Sequence, residues 1–492
     1  MGGFGDHRAE SGPVMRREAL LSAAVLSTAV RCAILLLLPV QVAAQSHDVC
    51  SEDGESSLEL RGFYKTLGSV VRIQPDLSQG IDALKGIIDR ARLEHPELQL
   101  PDIATFPQDG ASSANTGRVW GRFLFRNRVE VSAGWQIDAT IASDPALIGT
   151  SGLGGSVSVA GSQVASRRLV DFDHVLASND HLLLQDNLDL LAVKVTLPKG
   201  EIVAGRQVLS WGTGHLWNPT DLLSPFAPTD VDREVRHGVD AVRYSVPLSN
   251  TSLVDVLYLP QKQGWAQGGV VRVQANTKGF DISGSVAKYV SDVVVGADTA
   301  GDIGPLNVHV EVAYTTGLQN LGTNKPVEIG DRFVRGVAGA DWRPSEAWIL
   351  GLEYYFNGFG ASDPAGYVDK LRSDRVVRGE VFGAGRHYTG FSADWKAADL
   401  LTLQTLLVTN LADPSALVLP VAEYWAKQNV IVRLGGYVPI GSRPDAGLLR
   451  GVTVSDVVGN TIAFQSATSS LGLRSEYGAS PWGAFVQVGI YF

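Results

Sequence analysis

The feature that most constrains the fold of this chain is a recurring alternation of apolar and polar residues, interrupted by tight turns. In 129–141 the odd positions, from Val129 to Ile141, are apolar, and the even positions are mostly polar. A period of two places these two sets on opposite faces of a β-strand, whereas a helix would mix them. Because the same unit returns through most of the chain, the sequence predicts a long series of β-hairpins.

The number of strands follows from counting these units. Eight hairpins can be placed, and one lone strand remains at each end, Leu58–Lys65 and Ala484–Phe492, so the expectation is about 18 strands, with 16 as the lower bound. Turns inside hairpins are short and contain Asn, Gly, Pro and Asp. The connections between hairpins are mainly long and Gly-rich, and they cover 66–116, 142–186, 212–237, 317–331, 357–386 and 439–481.

This segregation of connections predicts an all-β chain of one particular kind. Short periplasmic turns on one rim and long extracellular loops on the other are typical of a transmembrane antiparallel β-barrel. Pairing the two terminal strands would close the sheet, as a β structure in hydrocarbon requires. The net charge of −10 argues against a nucleic-acid binder.

The N-terminal segment has the pattern of a secretory signal. Arg16 and Arg17 precede an apolar stretch, and Val42, Ala43 and Ala44 supply the small residues of a cleavage site. The sequence therefore predicts three parts: a signal segment at 1–44 that is removed, an N-terminal periplasmic lead at 45–56, and an outer-membrane β-barrel at 57–492.

The C-terminal strand carries a resemblance to a known class of proteins. One apolar face ends in the last residue, and its members are Ala484, Val486, Val488, Ile490 and Phe492. This strand resembles the one recognised by the outer-membrane insertion machinery of Gram-negative bacteria, which makes Phe492 a predicted assembly signal. The motif of Gly205–Gly212 followed by Asn218–Asp221 resembles one in poorly characterised porin-like families.

The resemblance to porin-like outer-membrane barrels covers most of 57–492 and implies a location and partners. The expected location is the bacterial outer membrane. The expected partners are outer-membrane lipid and lipopolysaccharide, the insertion machinery and a small solute, with no nucleic acid. The resemblance implies no particular substrate.

Charged residues opposite the apolar faces are candidates for the lining of a lumen. The basic candidates all lie on the first eight strands and would form one wall: Arg61, Lys65, Arg118, Arg122, Arg126, Lys194, Arg206, Arg243 and Arg272. The acidic candidates lie on later strands: Asp281, Glu311, Asp341 and Glu353. Such a field would favour anionic solutes. The alternative is that these charges pair with one another or with loops.

Two loop segments are candidates for narrowing the lumen. The loop at 212–237 contains Trp217, Asn218 and Asp221 among several prolines, and its prolines and Asn or Asp residues stiffen it. It could form a constriction or lie on the rim, braced on its own side chains. A helical pattern at Ile81–Ala91 leaves the same two options, with the rim favoured.

The sequence contains no pattern typical of catalysis, a cofactor or a metal site. The histidines are scattered, and the usual hydrolase and metal-site motifs are absent from the sequence. The expected function is passive diffusion of small hydrophilic solutes, anionic ones included, through an outer-membrane channel. Two alternatives stay open: a plugged structural or assembly barrel without transport, and, more remotely, a hydrolase that uses His309 with Ser283 or Ser285.

Overall fold

The alternating segments form 18 antiparallel strands in one sheet that closes on itself. The computed structural model describes residues 47–50, 56–96, 109–148, 168–317, 332–371, 373–445 and 472–492. The barrel strands are β1 Ser57–Arg72, β2 Asp109–Phe125, β3 Val129–Ala142, β4 Leu182–Leu197, β5 Gly200–Gln207, β6 Val239–Ser249, β7 Ser252–Leu259, β8 Gly268–Thr277, β9 Phe280–Tyr289, β10 Asp292–Ile303, β11 Leu306–Gly317, β12 Arg332–Ser345, β13 Trp348–Asn357, β14 His387–Ala398, β15 Leu401–Asn410, β16 Ser415–Lys427, β17 Val430–Ile440 and β18 Trp482–Tyr491.

The barrel closes between its first and last strands. β1 pairs with β18 from Phe63 opposite Tyr491 to Arg72 opposite Trp482. Beyond the strand end, the Gly62 N–H donates to the Phe492 carbonyl at 2.7 Å, and the Phe492 N–H donates to the Gly62 carbonyl at 2.9 Å. All other neighbours pair in chain order, which confirms the predicted closed antiparallel β-barrel of 18 strands.

The connections are short on one rim and mostly long on the other, as the sequence predicts, although some of their lengths differ from the prediction. Each of the eight hairpins turns within a few residues on one rim, and most connections on the other rim are long. There, β9 reaches β10 through residues 290–291 alone, and β15 reaches β16 through 411–414. The first long connection is also shorter than predicted, because β1 continues to Arg72 and β2 starts at Asp109.

The outer surface of the barrel is an apolar belt. Val131, Trp135, Val242, Leu352 and Leu434 are all exposed, and Leu434 is 61% exposed. Soluble proteins rarely expose apolar side chains over a continuous surface, whereas a lipid-facing sheet does so on every strand. Closure satisfies the backbone hydrogen bonds that lipid cannot satisfy. The chain is therefore a barrel of the outer-membrane type.

A few elements lie outside the barrel wall. His47–Cys50 forms a short strand against β1, so part of the predicted lead at 45–56 is paired. Asp173–Asn179 forms another against β4. The signal segment at 1–44 lies outside the described residues.

The helices are few, and one of them was predicted. Helix α1 spans Pro75–Glu94 and contains the helical pattern found at Ile81–Ala91; it buries Leu84, Ile88 and Ala91. Its placement at the rim or in the lumen stays a prediction. Two short helices, α2 Tyr367–Leu371 and α3 Asp374–Val377, lie between β13 and β14. None of the described helices has the length and apolar composition needed to cross a membrane.

We expect deletion of Phe492 to slow assembly of the barrel into the outer membrane while leaving export to the periplasm intact. The deletion removes both hydrogen bonds to Gly62, and it also removes the ring that lies over the position where a Gly62 side chain would be. Heat-modifiable migration on gels, followed over time after induction, measures assembly. Phe123→Ala, which removes another exposed aromatic ring, is the matched control. Assembly of the deletion variant at the parent's rate would refute the predicted signal.

Candidate lumen site

The connection between β5 and β6 enters the interior of the barrel. We call residues 208–238 the crossing loop. Its root packs on the wall from which it starts: Leu209, Leu222 and Leu223 share a buried apolar cluster with Leu257 of β7 and Val294 of β10. From this root the loop reaches two other sectors of the wall.

The first remote attachment is made by two glutamates on the wall. Glu311 on β11 and Glu353 on β13 have side chains on the inner face of the barrel and are 1% and 3% exposed. Glu311 accepts hydrogen bonds from the backbone N–H groups of Thr213 (2.9 Å), Gly214 (3.3 Å) and Thr220 (2.5 Å). A buried carboxylate needs such donors, because without them its charge would be strongly disfavoured.

Glu353 holds the neighbouring part of the loop in the same way. It accepts hydrogen bonds from the backbone N–H groups of His215 (2.5 Å), Leu216 (3.1 Å) and Trp217 (3.4 Å). Six backbone donors of the loop thus converge on two wall carboxylates. Hydrogen bonds to a charged acceptor are about twice as strong as neutral ones, so these bonds fix the loop firmly.

An aromatic contact completes this attachment. The Trp217 ring stacks on Tyr355 of β13, with ring centroids 5.3 Å apart and planes 14° apart, and lies 6.1 Å from the ring of Tyr388 on β14. Gly390 makes room for it, since a Cβ there would lie 2.2 Å from Leu216 and 3.0 Å from the Trp217 ring. A larger residue at 390 would push the loop off the wall.

The second remote attachment lies at the seam where the barrel closes. Lys65 of β1 contacts Asp232 and Glu234 of the crossing loop at 2.9 and 2.8 Å. Glu234 also pairs with Arg433 of β17 at 3.2 Å and accepts a hydrogen bond from Tyr491 of β18. The crossing loop therefore touches three sectors of the wall, which places it across the lumen.

The three residues predicted for this loop have supporting roles in its structure. Trp217 is buried against the wall, as described above. Asp221 is 1% exposed and braces the root, accepting hydrogen bonds from Ser210 at 2.8 Å and Arg236 at 2.6 Å. The Asn218 carbonyl accepts a hydrogen bond from the Asp221 N–H at 3.1 Å. The side chains of Trp217 and Asp221 are thus buried, whereas Asn218 is partly exposed.

Most of the predicted basic wall is paired with carboxylates. Arg118 lies 2.7 Å from Asp189 and is almost fully buried. The other pairs are Lys194 with Glu130 (2.9 Å), Arg243 with Asp255 (3.0 Å) and with Glu201 (3.7 Å), and Arg272 with Asp298 (3.5 Å). These pairs cancel much of the positive field that the sequence alone suggests.

One basic group keeps an excess of positive charge. Arg61 and Arg122 both pair with the single carboxylate of Glu59, at 2.5 and 2.7 Å. Their side chains are 51% and 52% exposed, unlike the buried Arg118. Two guanidinium groups and one carboxylate leave a local charge of about +1 that faces water, where ion pairs are weak.

Two predicted members of the basic wall are placed differently by the structure. Arg126 lies in the turn after β2 with φ 47°, and its guanidinium lies over the Phe125 ring. Arg206 is 2% exposed and pairs with Asp240 at 2.9 Å. The register of β5 with its neighbours runs through Gly205 without a shift, and Arg206 lies opposite the exposed Leu191 and on the same strand face as the exposed Ile202. Alternation therefore places Arg206 on the outer face, where its guanidinium lies over the Phe172 ring.

The remaining acidic candidates have individual partners. Asp281, at the short-turn end of β9, accepts a hydrogen bond from Asn276 at 2.8 Å. Asp341 on β12 lies 3.1 Å from His215 of the crossing loop, and this hydrogen bond raises the pKa of His215. For the proposed hydrolase, Ser283 donates to Asp298, whereas His309 contacts Glu353. These contacts do not join a serine to a histidine.

Sequence reasoning missed a buried charge cluster at the long-loop rim. Arg375 lies 2.5 Å from Asp292, and Arg378 lies 2.6 Å from Glu380. Burial raises the pKa of Glu380, but Arg378, Arg335 and Arg375 outweigh it and lower this pKa to about 2. The cluster therefore stabilises the loop between β13 and β14 until the pH falls through that value. Arg375, Arg378 and Glu380 are close in the sequence, but Asp292 lies 83 residues before Arg375, so local spacing alone does not reveal the cluster.

Comparisons with known proteins find similarity in structure only. No family model matches the chain, and no curated protein matches its sequence. Acinetobacter baumannii OccAB1 is 10% identical with a TM-score of 0.46, and the match covers 92% of this chain and 99% of that one. Pseudomonas aeruginosa OccK5 (OpdH) is 9% identical with a TM-score of 0.46, covering 88% and 98%. A mutant of the Rh. blastica porin is 10% identical with a TM-score of 0.39, covering 88% and 100%.

Proposed function

We propose that this barrel is an outer-membrane channel through which small hydrophilic solutes diffuse passively. The crossing loop narrows its lumen. The proposal rests on the attachment of this loop to three sectors of the wall, which involves wall side chains of both charges. Glu311 and Glu353 hold its first part, and Lys65 holds its later part. A loop fixed in this way sets the width of the lumen at one level.

The chemistry of the interior favours hydrophilic solutes. Inner-face residues include charged and polar side chains on most strands, with Arg61, Arg122 and Lys194 all partly exposed. Charged groups of this kind keep a lumen wet and set which ions pass. Step-like single-channel currents from the purified protein in a planar bilayer test the proposal.

The anionic preference expected from the sequence depends on the group of Arg61, Arg122 and Glu59. We expect Arg61→Gln/Arg122→Gln to shift the reversal potential in a KCl gradient toward cation selectivity, because it leaves Glu59 as the only charge of that group. Arg126→Gln is the matched control, since Arg126 lies in a turn off the wall. The charge of arginine does not titrate near neutral pH, so the shift should be the same at pH 6 and at pH 8.

The outcome also separates two sources of selectivity. An unchanged reversal potential in the Arg61→Gln/Arg122→Gln variant would refute the role of this group and leave selectivity with the loops. A shift as large in Arg126→Gln would refute its local origin, since exposed charges are screened over about 8 Å at physiological ionic strength.

A plugged barrel that conducts nothing is the second candidate. The deep burial of Glu311 and Glu353 beneath the crossing loop, and of Trp217 between the loop and the wall, favours it, because the lumen is filled along that part of the wall. A correctly folded protein that inserts into a bilayer without any conductance would establish this alternative.

A further inference from the structure

Two histidines and an aspartate meet where the crossing loop touches the wall. His215 belongs to the loop, His309 to β11 and Asp341 to β12, and one ligand atom of each lies within 4.8 Å of the others. The His215 Nδ1 is 3.1 Å from the Asp341 Oδ2, and the two imidazole centroids are 4.8 Å apart. Three groups of metal-ligand type thus converge from separate elements.

The hydrogen bonding of His309 points to an additional partner. Its side chain is almost fully buried, and its Nε2 lies 2.9 Å from the Glu353 Oε1. An ionised carboxylate can only accept, so Nε2 carries a proton, and in the neutral imidazole Nδ1 then presents a lone pair. That Nδ1 is buried and has no hydrogen-bond partner among the residues that the structure describes. Buried polar atoms are nearly always paired, so an unpaired lone pair requires an explanation such as an ion.

We propose that His215, His309 and Asp341 bind one divalent transition-metal cation of the zinc type. Two ligands bound tetrahedrally at about 2.0–2.1 Å from one ion lie roughly 3.3 Å apart, close to the 3.1 Å between the His215 Nδ1 and the Asp341 Oδ2, and the ligand atom of His309 lies within 4.8 Å of both. Imidazole nitrogen with carboxylate oxygen suits zinc, copper and nickel, whereas magnesium and calcium prefer oxygen ligands alone.

Glu353 is the outer partner of this site. A metal-binding histidine commonly donates its other ring N–H to a carboxylate, which fixes the ring and its tautomer, and His309 with Glu353 has this arrangement. Gly339 makes the contact possible, since a Cβ there would lie 2.3 Å from the His309 Nε2. The side chain of His215 is 56% exposed, so the fourth position of the ion is open to water.

The bound ion would join the crossing loop to the wall. His215 comes from the loop, and the other two ligands come from β11 and β12, so coordination adds a bond beside the attachments at Glu311 and Glu353. A ligand that binds only the attached arrangement stabilises that arrangement. Zinc should therefore raise the unfolding temperature of the protein as well as bind to it.

Calorimetric titration of the full chain in detergent, stripped with a chelator and then titrated with ZnCl₂, tests the site. We expect one zinc ion per barrel. His215→Asn and Asp341→Asn should each weaken binding by more than the roughly 10–100-fold that loss of an outer partner typically costs. His174→Asn is the control, because His174 is an exposed histidine paired with Asp186 on a different part of the chain.

The His215→Asn variant should fold like the parent protein, because this side chain is exposed on a loop. A loss of zinc binding in this variant is therefore not explained by misfolding. Binding of zinc and the rise in unfolding temperature should both be lost in His215→Asn and both be kept in His174→Asn. Absence of a saturable site in the parent protein would overturn the proposal. Retention of parental affinity in His215→Asn, or an equal loss in His174→Asn, would overturn it as well.

Discussion

The variant Glu311→Gln/Glu353→Gln should release the crossing loop and conduct more current per open channel than the parent protein. Six backbone N–H groups of the loop donate to these two carboxylates. Hydrogen bonds to a charged acceptor contribute about 1 kcal/mol more than neutral ones, and the cost of burying the two charges offsets part of this gain, so neutralising both acceptors weakens the attachment by at most about 6 kcal/mol.

This magnitude decides what the variant does. Moving a two-state equilibrium from 99:1 to 1:99 takes about 5.5 kcal/mol, so the upper value for the double substitution would reverse the population of attached and released loop, and a smaller value would release the loop in part. Each single substitution affects three backbone donors and should give a mixture, seen as switching between two conductance levels. Asp281→Asn is the control, because Asp281 lies away from the crossing loop.

Single-channel recording of the parent protein and the four variants measures the effect. A double variant with the parent's conductance would contradict the role of the two glutamates in holding the loop. A change of the same size in Asp281→Asn would show that any lost lumen charge has this effect, whatever the position of the loop.

The second large effect concerns insertion into the membrane. We expect Ala133→Arg to impair barrel assembly far more than Ser132→Arg, although the two positions are adjacent on β3. Ala133 lies opposite Gly121 and faces outward, whereas Ser132 lies opposite Arg122 and faces the lumen. An arginine on the lipid face costs about 2–4 kcal/mol at the bilayer midplane, and one in a wet lumen costs far less.

Refolding into lipid vesicles at a series of urea concentrations measures this difference as a shift in the midpoint. The Ser132→Arg protein serves as the matched control, since it carries the same charge and the same added volume. Equal destabilisation by the two substitutions would mean that the two faces of β3 have been assigned wrongly.

The architecture of the barrel could be predicted because lipid and lumen impose it on every strand. The outer face must be apolar and the inner face can be polar, so alternation appears directly in the sequence, as on β3. The prediction fails at two residues. Arg206 shares the outer face of β5 with Ile202, so a charged residue stands where this rule expects an apolar one, and the turn after Phe125 takes Arg126 off the strand.

The side chains that face the lumen could be predicted from the sequence, but their contacts could not. Inward-facing charges such as Glu311 and Glu353 follow from strand alternation, but their partners come from residues about a hundred positions away in the crossing loop. Such pairings depend on the path of a loop, which no local pattern encodes. For the same reason, the sequence alone does not predict that His215, His309 and Asp341 lie together. Each of them, taken singly, matches no metal-binding pattern.

Conductance of the purified parent protein in a planar bilayer tests the central claim most directly. A channel narrowed by a fixed crossing loop should give discrete, uniform current steps in KCl, and the steps should grow larger when the loop is released by Glu311→Gln/Glu353→Gln. Insertion of a folded, heat-modifiable barrel that shows no current in either protein would contradict the claim and identify the chain as a plugged barrel.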